Sequence, residues 1–111
     1  MATSLPVRWL KVTGTVETTA TDINMNGLFL RMEDLPKVRS LMQLEVTLPM
    51  RVLRFFAVAR FVGNTESGPG IGVEIHLIDE HDRAVWHQYY RALLSRASKA
   101  PSPALARASI R

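Results

Sequence analysis

The chain has 111 residues, 47% hydrophobic and 22% charged, which gives room for one domain with its own core and lies far from disordered, collagen-like or membrane compositions. It has no cysteine, so disulfides, thiolate metal sites and cysteine nucleophiles are excluded. The formal net charge of +4 is carried by the end of the chain, where Arg96, Lys99, Arg107 and Arg111 stand without an acid among them, so the body is near neutral and needs no basic face.

In chain order, Leu5 to Val12 and Thr15 to Ile23 are β-branched enough for two strands, although their alternation is blurred. After Gly27, Leu28, Leu30 and Met32 alternate with Phe29 and Arg31, the pattern of a half-buried strand. From Leu41, Met42, Leu44, Val46 and Leu48 fall on one face and Gln43, Glu45 and Thr47 on the other, and Pro49-Met50 turns the chain. The run from Arg51 to Val62 places Leu53, Phe55, Ala57, Ala59 and Phe61 on one face, with Arg54, Phe56, Val58 and Arg60 opposite. Gly63 to Gly70 is dense in turn formers, and Ile71, Val73, Ile75 and Leu77 then alternate with Gly72, Glu74 and His76, completing a long hairpin.

At Asp79 the period changes. Asp79 can cap a helix, Asp82 suits its first turn, and Val85, Trp86, Tyr89, Tyr90, Leu93 and Leu94 form one apolar stripe. Pro101 and Pro103 forbid continuation. The pattern predicts a mainly β fold, a small antiparallel barrel of five or six strands with one C-terminal helix over its open edge or end, spanning 1–96. A flexible basic tail is expected over 97–111. No run approaches the roughly 20 apolar residues of a membrane span, and the start lacks the pattern of a signal peptide, so a cytoplasmic chain is expected.

The most specific signal is Asp22-Ile23-Asn24-Met25-Asn26-Gly27, a polar turn ahead of Leu28-Phe29-Leu30. It resembles the PilZ family, whose motif is an acid or asparagine, any residue, serine, two residues, then glycine; Asp22, Asn24 and Gly27 take those three positions. The likeness runs on through Ala57 to Val62, through Gly70 to Ile75 and into the helix after Ile78-Asp79-Glu80, covering roughly Leu5 to Leu94. The resemblance implies a six-stranded barrel, a bacterial signalling module, and cyclic di-GMP as the ligand. The turn residues would meet the guanine, and an upstream pair of arginines with three residues between them would grip phosphates and bases. Here the only bases before Asp22 are Arg8 and Lys11, within the first strand, and serine is replaced by the larger Asn24. The family function implied is therefore a degenerate one: a non-catalytic adaptor of a motility, surface or second-messenger pathway, acting through a protein partner and binding cyclic di-GMP weakly or not at all. The alternative is a working receptor that uses the Asp22 to Gly27 turn with Arg8, Lys11 or a partner's bases.

Each feature also has a plain structural reading. Asp22, Asn24 and Gly27 can form an ordinary Asx-type turn, and Arg8 and Lys11 can serve solubility alone. Gly68-Pro69-Gly70-Ile71-Gly72 lacks the helix and lysine of a phosphate loop and reads as hairpin. Of His76, Asp79, His81, Asp82 and His87, His81 and His87 fall on well-separated helix faces and His76 on the preceding strand, so no metal site is expected, and no nucleophile stands beside a base and its orienter, so no catalytic residues are assigned. Trp86, Tyr89 and Tyr90 suit helix-on-barrel packing. Arg54, Phe56, Val58 and Arg60 have the composition of a partner-binding face unless a bulge buries both sides of the strand. The tail's scattered bases, without an aromatic platform, would give nucleic acid only unspecific affinity.

Overall fold

A computed structural model of the chain describes residues 1–66 and 68–99. Six strands, β1 (Ala2–Lys11), β2 (Gly14–Asn24), β3 (Gly27–Arg31), β4 (Leu41–Thr47), β5 (Val52–Thr65) and β6 (Gly68–Leu77), are followed by one helix, α1 (Glu80–Lys99). All pairs are antiparallel, and the order β1-β2-β3-β6-β5-β4 closes on itself through pairing of β1 with β4. The expected mainly β barrel with a C-terminal helix is the fold observed. Closure rather than the helix removes the outer edge strands.

Alternation decides what lies inside. Leu5, Val7, Ala20, Ile23, Leu28, Leu30, Met42, Leu44, Val46, Leu53, Phe55, Ala57, Ala59, Ile71 and Val73 fill the barrel as one cluster. Trp86 and Tyr89 of α1 join it, with Trp86 only 1% exposed and its indole edge-on to Phe55 at 6.3 Å. The helix starts where Asp79 Oδ2 accepts the backbone N–H of His81 at 3.1 Å, and Arg51 at the head of β5 holds Asp82 of its first turn at 3.1 Å. No helix among the described residues is long and apolar enough to cross a membrane.

Four expectations are corrected. Phe61 does not face inward with Ala59. Arg60 is an extra residue between the Ala59↔Val73 and Phe61↔Gly72 pairs, and this bulge turns Phe61 outward to 57% exposure. Leu77 is likewise exposed, because His76 is the extra residue between the Ala57↔Ile75 and Phe56↔Leu77 pairs. Gly63 to Thr65 and Gly68 to Gly70, expected in a turn, instead pair with each other as strand across the hairpin. The helix runs to Lys99, past the boundary expected at 96, since Ala97 and its neighbours tolerate helix up to the residues before Pro101. The expected tail falls largely on 100–111, outside the described residues.

Candidate functional site

The turn that carries the motif is built from the inside out. Thr21 is a bulge on β2, between the Ala20↔Leu30 and Asp22↔Phe29 pairs, and it sets Asp22 across from Phe29 on the outer face while Ile23 and Leu28 pack inward. Asn24 Oδ1 accepts the N–H of Asn26 at 2.8 Å, forming an Asx turn. Trp86 Nε1 donates to the carbonyls of Asn24 and Met25 at 3.2 and 3.1 Å, and Ile75 N–H donates to the carbonyl of Asn26 at 2.8 Å. The turn is thus clamped between α1 and β6.

Gly27 has a steric reason. A Cβ there would lie 2.3 Å from the carbonyl oxygen of Val73, so β3 and β6 can approach this closely only at glycine. Asp22 has an exposed carboxylate that accepts a hydrogen bond from the Met1 amine at 2.5 Å, and the same amine donates to the carbonyl of Ile23 at 2.9 Å.

Beside the turn a cleft of about 870 Å³ opens on the outside of the barrel, within the range of roughly 300 to 1,000 Å³ that suits small ligands. Asp22, Asn24 and Gly27 line it together with Phe29, Arg60, Phe61, Gly63, Gly72, Glu74 and Tyr90. The Phe29 and Phe61 rings, 6.2 Å apart, lie over Gly63, Gly70 and Gly72, where any side chain would collide with them. Among the described lining side chains the charged ones are Asp22, Glu74 and Arg60. Arg60 Nε donates to Glu74 Oε1 at 3.0 Å, and its Nη2 donates to the same oxygen.

The structure therefore brings Asp22, Asn24 and Gly27 together and adds Arg60, which the sequence had grouped with a partner face. Arg8 and Lys11 do not line the cleft. Arg8 Nη1 reaches Glu45 Oε1 at 3.5 Å, and Lys11 Nζ lies 4.6 Å from the Trp9 ring centre. Arg54 Nε donates to Glu45 Oε2 at 2.7 Å, so Glu45 on β4 joins Arg8 and Arg54 across three strands. The hydrogen bond from Arg54, with the charges of Arg54 and Arg8, outweighs burial and holds the Glu45 carboxyl below its ordinary value.

Arg54 and Phe56 border a shallower hollow of about 380 Å³ with Gln43, Leu77, Ile78 and Asp79. Leu41 pairs with half-buried Val58, and Leu77 with Phe56, so this outer face carries several apolar side chains. Phe29 at an outward position was a readable sign of the cleft, whereas Phe61 was hidden by the Arg60 bulge. Among the described residues no three or more metal-ligating side chains gather, and Asp79 and Asp82 serve the helix start.

No protein-family model matches the chain, and no curated protein matches it. Among solved structures it is similar to that of the Bacillus subtilis inhibitor of motility, MotI/DgrA, with a TM-score of 0.77 and 18% identity over 91% of this chain. The chain spans about half of that protein, 51% of its length. The likeness is one of fold, and it supports a PilZ-like barrel.

Proposed function

We propose that this chain is a non-catalytic, PilZ-like signalling adaptor of a motility, surface or second-messenger pathway, acting through a protein partner and binding cyclic di-GMP weakly or not at all. The observation that carries this reading is the charge balance of the cleft: Asp22 and Glu74 stand against two cations, the Met1 amine and the Arg60 guanidinium, each already held by one of those carboxylates. A cyclic dinucleotide carries two phosphates, and burying them there would need cations free of the carboxylates that hold Met1 and Arg60. Asn24 is also committed, since its side-chain oxygen holds the turn. The fold-level likeness to an inhibitor of motility agrees with a regulatory role in such a pathway.

The partner face in this reading is the outer surface of β5, centred on Arg54, Phe56 and Val58 and reaching Arg60 at its far end. Arginine beside exposed aromatic and aliphatic groups is the composition favoured at interfaces. Affinity capture from the source cells with the full chain, Arg54→Glu/Phe56→Ser and Asp22→Ala tests it. The adaptor reading expects a protein retained by the wild type and Asp22→Ala but lost with the double variant. Retention that instead requires Asp22 and added cyclic di-GMP would favour the receptor.

A further inference from the structure

Two tight turns lie side by side at one end of the barrel. The β1 ladder with β4 closes at Leu10↔Gln43, and β1 pairs with β2 as far as Lys11↔Gly14, which leaves Val12-Thr13 as the first tip. In the second turn the N–H and the hydroxyl of Ser40 both donate to the Lys37 carbonyl, at 3.0 and 2.5 Å, so Val38 and Arg39 form the tip just before β4 begins. This turn is fixed to the barrel wall: Arg39 N–H donates to the carbonyl of Ala59 on β5 at 2.6 Å, and Ala59 N–H donates to the carbonyl of Ser40 at 3.0 Å.

Both tips depart from ordinary turn chemistry in the same way. Glycine, proline, asparagine and aspartate are the usual residues there, yet Val12 is fully exposed, Val38 is 45% exposed, and Leu41 at the start of β4 is 56% exposed. Each valine adjoins a base, Lys11 before Val12 and Lys37 and Arg39 on either side of Val38. Among the described residues none of these three bases is paired with a carboxylate. Arg39 moreover holds φ 77°, a left-handed conformation that suits glycine and costs an arginine energy, which singles out its side chain as the part put to use. The acids of the same connection, Glu33 and Asp34, follow Met32, whose N–H donates to the carbonyl of Pro69; Pro69 pairs with Asn64, further out along β5 than the Ala59 that holds Arg39.

We propose that these two turns dock the barrel reversibly on an anionic lipid surface. Lys11, Lys37 and Arg39 meet the headgroup phosphates, while Val12, Val38 and Leu41 enter the boundary between headgroups and acyl chains. The occupant follows from shape and charge together. Apolar side chains on convex tips, level with unpaired bases, suit a soft surface that both can enter at once. A nucleic acid would meet the bases but offer the valines nothing, and no exposed aromatic platform stands among them for its bases to stack on. Half-buried Trp9, with Lys11 Nζ 4.6 Å from its ring centre, supplies the amphipathic pair favoured at headgroup level. Three bases and a few small apolar groups make a peripheral, salt-sensitive contact rather than a permanent anchor.

Co-sedimentation of the full chain with vesicles tests this, comparing equal parts phosphatidylglycerol and phosphatidylethanolamine with phosphatidylcholine alone. The wild type should be retained by the anionic vesicles only, and less so as salt is raised. At about fivefold per base, Lys37→Glu/Arg39→Glu should weaken retention by about tenfold or more, and Val12→Ser by about three- to tenfold, with the thermal melts unchanged. Emission from Trp9 should shift to the blue on binding, the chain's other tryptophan, Trp86, being buried already. The bases of residues 96–111 are intact in these variants, so binding through them would be undiminished. Retention indifferent to both variants, equal retention by phosphatidylcholine, or capture by heparin without capture by anionic vesicles would overturn the inference, the last by giving the turns to a soluble acidic macromolecule.

Discussion

Glu45 is one carboxylate shared by two cations, and its environment sets a pH dependence whose sign is fixed. Its side chain projects from the outer face of β4 yet is only 11% exposed, because Arg54 and Arg8 fold over it. The folded chain holds its pKa below the ordinary value of 4.5, so in that range the unfolded chain binds more protons and stability rises with pH. The contribution is complete above the ordinary value and is lost as pH falls through the lowered one. Urea midpoints measured down an acid series should therefore fall more steeply for the wild type than for Glu45→Gln. Added salt should narrow the difference, since both arginines are half or more exposed. Trp86 shows the same coupling of packing and polarity: its ring is buried against Phe55, while its one donor reaches two carbonyls of the β2-β3 turn.

Among the elements, the pairing of β3 with β6 depends most visibly on one position. Gly27→Ala would drive a Cβ into the Val73 carbonyl, which is backbone and cannot swing aside, so the strands must part. The expected cost is about 1 to 3 kcal/mol, read as a lowered urea midpoint at unchanged slope. An unaffected midpoint would mean that Gly27 serves a ligand rather than the strand pair. Period-two alternation made β3, β4 and the first half of β5 legible, since Leu28, Met42, Leu44, Leu53 and Phe55 each face the core as their spacing requires. The helix was legible for a similar reason, from Asp79 and the stripe around Trp86. What failed was parity after each bulge. One extra residue at Arg60 and another at His76 reverse the faces beyond them, and neither bulge carries a glycine or proline to announce it. The cleft was half legible for this reason: Asp22, Asn24 and Gly27 stood in a motif, but Phe61, Arg60 and Glu74 come together only through the shifted register.

At the scale of the whole molecule, the barrel presents two neighbouring surfaces with different chemistry. One is the cleft, whose turn is braced by Trp86 and Ile75 and whose lone arginine is already paired. The other is the outer face of β5, where Arg54 and Phe56 border an open hollow beside exposed Leu77. In the proposed adaptor the turn survives because it holds the helix to the barrel, and the work of recognition passes to the second surface. The two arginines implied by the family resemblance would each contribute about 1.5 to 3 kcal/mol through bonds to charged groups, and without them a micromolar site weakens by roughly 100- to 10,000-fold. Calorimetric titration of cyclic di-GMP into the full chain at physiological salt is therefore the most direct measurement. The adaptor account predicts no saturable binding tighter than about 0.1 mM, whereas low-micromolar binding abolished by Asp22→Ala would contradict it.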